Sequence, residues 1–127
     1  MDEVEYPFRP KSNRYLKAGQ FWAVPLSDGR FACGRVMDPT SQISPRVMFV
    51  AGLMDWVGDT APTEQNLVGR RVLAQGHAHI KTITEIGGQV LGCRALDMDG
   101  LQVEPVDDSM STWGFQYIAL LAEHRLA

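Results

Sequence analysis

Cysteine is scarce, at two residues in 127. That scarcity excludes a disulfide-stapled scaffold, in which crosslinks take the place of a core. Cys33 and Cys93 both fall in apolar, strand-forming sequence, which reads as two buried free thiols. Basic clusters are missing too: Arg70-Arg71 is the one adjacent Lys/Arg pair, and the formal net charge is −3. Such a chain lacks the electrostatic footprint of a nucleic-acid binder. No apolar run approaches the roughly 20 residues that a membrane-spanning helix requires. The opening MDEVEYPFRPK is polar and acidic, unlike a secretion signal. Internal repeats and low-complexity segments are absent. What these absences leave is a soluble, cytoplasmic protein, a single domain over residues 1–127 whose 45% hydrophobic content suffices for one core.

The most informative stretch that is present runs from Gly19 to Asp38, GQFWAVPLSDGRFACGRVMD. Two apolar runs flank Ser27-Asp28-Gly29, the pattern of a β-hairpin. A two-residue Asp-Gly turn would place Pro25 at a hydrogen-bonded position opposite Ala32, where proline has no N–H to donate. A three-residue loop, with Gly29 in the left-handed region, pairs Pro25 with Phe31 at a non-bonded position instead. This second register puts Trp22, Val24 and Leu26 on one face with Ala32, Gly34 and Val36. Phe21, Ala23 and Pro25 share the other face with Phe31, Cys33 and Arg35. Trp22 then faces Gly34, and Pro25 marks an edge strand or its neighbour.

Around this hairpin, residues 1–13 read as an extended, partly mobile arm. Val47–Leu53 is apolar on both faces and predicts a central strand paired with the second hairpin strand. Asp55–Glu64 reads as a loop, followed by a short helix capped by Thr60 or Thr63 and ending near Val68. Arg71–Gln75 resumes strand character. His77–Gly88 is open between a continued strand and a helical turn, because Ile80, Ile83 and Ile86 recur every three residues while Thr82 and Thr84 favour extension. Gln89–Leu96 predicts another strand, turned by Asp97–Gly100 into a second hairpin with Leu101–Val103. Pro105–Ser111 reads as a polar loop, and Thr112–Leu126 as an amphipathic helix capped by Ser111 or Thr112. The expected fold is therefore α+β but mainly β: a small curled antiparallel sheet, SH3-like in style, with the C-terminal helix packed on it.

Chemistry-bearing residues are few. His77-Ala78-His79 on an extended strand would place two imidazoles on one side, about 7 Å apart. Zinc would need a third ligand, and His124, Glu85, Asp97 and Asp99 are the conceivable donors, none fixed by spacing. A cysteine nucleophile would need Cys33 or Cys93 beside a histidine, yet both lie where burial raises a thiol's pKa. Gly87-Gly88 and Gly100 lack the strand–loop–helix setting of a phosphate cradle. Asp107-Asp108 and Asp97/Asp99 sit in turn sequences, where Asp is common for backbone reasons. The reading is of a protein that is not an enzyme and holds no cofactor or metal. Its alternatives are a small metal-dependent hydrolase built on His77/His79 and an SH3-like module for peptide or nucleic acid. Within Asp55-Trp56-Val57-Gly58-Asp59, an aromatic ring bracketed by carboxylates makes Asp55, Trp56 and Asp59 the candidate partner-binding residues. The other reading of Trp56 is a ring folded back on the core edge.

The hairpin GQFWAVPLSDGRFACGRV resembles the opening of bacterial immunity proteins of the immunity-protein-26 type. Val47–Leu53 and QVLGCRALD (Gln89–Asp97) follow in the order such proteins would place them, so that the resemblance extends from Tyr15 to Pro105. It implies a mainly β antidote encoded beside a polymorphic toxin, with the cognate toxin domain as its protein partner, neutralised by direct stoichiometric binding.

Overall fold

The computed structural model describes residues 5–103 and 112–126. The hairpin takes the register set by its proline. Strands β1 (Gln20–Pro25) and β2 (Phe31–Asp38) pair antiparallel, with Trp22 opposite Gly34 and Pro25 opposite Phe31. The Leu26 N–H donates to the Arg30 carbonyl at 2.8 Å, closing the Ser27–Gly29 loop, and Gly29 sits at φ 90°. Opposite Trp22, position 34 must be bare: a Cβ there would lie inside the indole's van der Waals surface. The neighbour of β1 on its outer side, β5 (Gly92–Cys93), reaches only Gln20 and Phe21, so Pro25 lies beyond its ladder.

Three further elements complete the sheet. β3 (Met48–Gly58), β4 (Val72–His79) and β6 (Thr112–Trp113) extend it in the order β5-β1-β2-β3-β4-β6, with β5 and β6 at its two edges and no closure into a barrel. All pairs are antiparallel except β4–β6, so the sheet is mixed where a purely antiparallel one was expected. One face carries the main core: Trp22, Val24 and Leu26 pack with Phe49, Leu53, Trp113 and the buried side of helix α2 (Tyr117–Leu126), namely Ile118 and Ala122. The opposite face carries a smaller cluster of Phe21, Cys33, Met54, Trp56 and Leu67. Leu67 closes the short 3₁₀ turn Glu64–Leu67, whose preceding Thr63 donates its N–H to Asn66 Oδ1 at 2.9 Å, as the capping signal suggested.

Several sequence-based boundaries move, each for a local reason. β3 runs through Asp55-Trp56-Val57-Gly58 instead of ending at Leu53. Register shifts between Ala32 and Gly34 and between Leu53 and Met54 let the strand continue, with Val57 opposite Ala32 and Gly58 opposite Phe31. Val47 falls outside it, in the turn before Met48. The expected strand Gln89–Leu96 shrinks to Gly92–Cys93, with Val90 bridged to Phe8. Asp97–Gly100 turns no hairpin. Leu96–Asp99 coils into a 3₁₀ turn ended by left-handed Gly100, because the Asp99 carboxylate is taken by Gly69 N–H and Arg94. The C-terminal helix begins at Tyr117, since Thr112 and Trp113 pair with His77 and Ala78, and the Trp113 ring fills the space above Gly76. Thr112 is thus a strand residue and caps nothing, while Ser111 and the loop 105–111 lie outside the described residues.

Between β4 and β5 both readings of His77–Gly88 hold in turn. The strand continues to His79, and a short helix α1 (Lys81–Thr84) follows, burying Ile83. The N-terminal segment lies along this region: Phe8 N–H donates to the Val90 carbonyl at 3.0 Å, and Tyr6 and Phe8 pack on the main core.

Candidate functional site

The alternation of β4 places His77 and His79 on the same side of the strand, opposite to Ala78. Their environments differ. His77 is fully buried, its Nδ1 hydrogen-bonded to the buried Ser41 hydroxyl at 2.7 Å, while its Nε2 has no partner among the described residues. The Ser41 oxygen also accepts the Ile43 N–H at 3.1 Å, so this one hydroxyl joins the turn 41–43 to β4. His79 sits at the surface edge, where its Nδ1 accepts the Lys81 N–H at 3.1 Å. Two of the donors considered for a metal are engaged elsewhere: Glu85 pairs with Arg9 at 3.3 Å, and Asp99 with Arg94 at 2.7 Å. The described residues contain no group of three or more His, Cys, Asp or Glu side chains placed to hold a metal ion.

The stretch Asp55–Gly58, expected as part of a loop, is the end of strand β3. Trp56 is 7% exposed and lies across Gly58, within the smaller core cluster, so its ring is folded back on the sheet. Asp55 keeps an ion pair with Arg71 at 3.4 Å on the exterior, and Asp59 is exposed just beyond the strand. The structure therefore separates the three candidate residues: two carboxylates at the surface, and one ring turned inward.

Cys33 is buried, and burial drives its thiol well above the ordinary range. That is the environment of an inert core residue, not of a nucleophile. Cys93 departs from expectation, being half-buried at the β5 edge rather than deep in a strand; both thiols are free. Asp107 and Asp108 lie outside the described residues.

A polar network that sequence reasoning passed over runs beneath the smaller cluster. Arg35 is fully buried on β2, and its Nε donates to the Gly19 carbonyl at 2.9 Å, with a second bond to the Arg94 carbonyl. Desolvation lowers its pKa from the usual guanidinium value. Arg94 itself grips Asp99 through Nε at 2.7 Å and through a second nitrogen at 3.0 Å, and reaches Glu64 at 3.3 Å. The Arg94 hydrogen bonds, then the Gly69 N–H, hold the Asp99 carboxyl down at about 2. These bonds tie the turns 64–67 and 96–99 to the sheet, which is a structural office. The alternating pattern of β2 gave the one available signal, an arginine predicted on the same face as Phe21 and Cys33. Also unforeseen is the exposure of Phe115, Tyr117 and Leu120 where α2 begins, around a shallow depression of about 300 Å³.

Comparison with known families yields a match to the model described as Immunity protein 26 over residues 17–90, more than half of the chain. The matched span takes in β1 to β4 and α1, and it ends at the Val90 bridge to Phe8. No curated protein and no solved structure matches the chain. Among the described residues no helix is long and apolar enough to cross a membrane.

Proposed function

The chain belongs to the immunity protein 26 family, and from that premise we propose that it neutralises one cognate bacterial toxin by binding the toxin domain directly, in the cytoplasm, without turnover. The observation that carries this reading is the family match itself, which spans the hairpin and the two long strands beside it. Membership of this family makes a protein toxin the partner; the stoichiometric mode of action is our inference. It agrees with how the polar groups described above are used. Arg35, Arg94, Asp99 and Ser41 are spent on holding loops to the sheet. Surface side chains are left to meet a partner, and binding energy at protein interfaces comes from a few such anchors.

The test is co-expression with the toxin domain encoded by the adjacent gene. Growth should be rescued, and the two proteins should co-purify as a complex that survives gel filtration. Cys33→Ala and Cys93→Ala should each still protect where the variant folds. Toxicity undiminished by well-folded protein at comparable abundance would refute the proposal.

A further inference from the structure

The N-terminal segment packs across the end of the sheet and makes one wall of a groove. Arg9–Lys11 form that wall, and His79–Lys81 with Thr84 and Glu85 form the other, enclosing about 590 Å³. A second depression of about 210 Å³ lies against the same segment, with Phe8 and Tyr15 among its lining residues. The charges in the groove are not balanced. Its one carboxylate, Glu85, is held by Arg9 at 3.3 Å, and the same guanidinium donates to the Thr84 carbonyl at 3.0 Å. Lys11 and Lys81 are exposed and have no ion pair among the described residues. His79 accepts the Lys81 N–H through Nδ1, so its free nitrogen, Nε2, carries the proton and is a donor. Beside the second depression, the exposed Arg14 lies over the Tyr15 ring at 5.6 Å.

Among the described residues the groove thus joins apolar surface from Pro10 and Ile80 to two unpaired ammonium groups, on a chain whose net charge is −3. A concave surface with an excess of one sign concentrates its field and favours a partner of the opposite sign. We infer that this groove receives an acidic segment of the partner, a short stretch bearing at least two carboxylates that meet Lys11 and Lys81. The inference rests on the reading that the partner is a toxin domain. An extended acidic segment fits the donor set, since each carboxylate accepts from an ammonium or from the His79 N–H. The flanking Tyr15 ring offers apolar contact to the side chain that follows.

The experiment measures association of the full-length chain with the purified toxin domain by surface-immobilised kinetics at low and high salt. Three proteins are compared: wild type, Lys11→Glu/Lys81→Glu, and Arg70→Glu/Arg125→Glu, which reverses two exposed charges outside the groove. Reversal in the groove should weaken binding by about tenfold or more, chiefly through slower association, with the deficit shrinking at high salt. Reversal elsewhere should stay within about twofold of wild type. Melting curves establish that each variant is folded, and Lys11→Gln/Lys81→Gln serves in place of the reversal if that variant fails to fold. Unchanged affinity in the groove variant, or an equal loss in the control, overturns the inference while leaving toxin binding intact. Failure of wild type to bind overturns the functional reading and the groove assignment together. Binding of a single-stranded oligonucleotide that the groove variant loses, with toxin affinity unchanged, assigns the groove to phosphate and likewise overturns the proposal.

Discussion

Position 34 shows how much a single residue decides in this fold. Trp22 is fully buried and occupies the space where any side chain at Gly34 would sit. Gly34→Val should therefore cost about 3 kcal/mol of unfolding free energy in urea titrations, through overpacking of a filled core. Gly29 sits in open space, and its positive φ is the whole constraint, so Gly29→Ala should cost only about 1 kcal/mol. That pairing was legible, because the proline rule fixed the register and the register fixed who faces whom. Trp56 was not legible, since its burial depends on register shifts that no local pattern announces. Trp56→Ala should lower stability by about 3 kcal/mol, as loss of a buried ring does, and a binding assay corrected for folded fraction should show affinity unchanged. The Ser41–His77 pair was equally hidden, as it joins a loop to a strand far along the chain. Ser41→Ala removes the buried hydrogen bond to His77 Nδ1 and should cost about 1–3 kcal/mol in the same titration.

Among the elements, the two short turns 64–67 and 96–99 depend on one carboxylate. Asp99 bonds Arg94 twice and Gly69 once, which lowers its folded-state pKa to about 2, against about 3.9 in an unfolded chain. A carboxyl whose pKa is depressed on folding stabilises the native state above its unfolded pKa, and that contribution disappears as pH falls through the folded value. Asp99→Asn should thus unfold at lower urea than wild type at pH 7, with the gap closing between about pH 4 and pH 2. A gap that stays constant over that window would contradict the assignment. The elements themselves were read unevenly for physical reasons. The strands of the hairpin and the core of β3 announce themselves by apolar patterning. The start of α2 does not, because the apolar residues from Trp113 onward can be read as one helical stripe, and only the space above Gly76 draws Trp113 into a strand. The Asp97–Gly100 turn misled because a dipeptide suited to a hairpin serves as well to end a 3₁₀ turn, and a salt bridge chose between them.

At the scale of the molecule, an open six-stranded sheet holds core on both faces. Mainly β character with a C-terminal helix was readable from the spacing of turns. The family was readable from the hairpin, since a motif constrained on both faces by packing keeps a recognisable pattern. The basic groove was not, because Arg9 and Lys11 lie far from Lys81 in sequence and meet only when the N-terminal segment docks on α1 and β4. The central claim is that protection comes from binding alone, mole for mole. It is tested most directly by titrating purified protein into a fixed amount of the cognate toxin domain, well above the dissociation constant, and reading residual toxin activity. The account predicts a linear fall that ends at a fixed whole-number ratio and does not change with incubation time. Complete inactivation by far less than one molecule per toxin, deepening with time, would mean turnover and would contradict it.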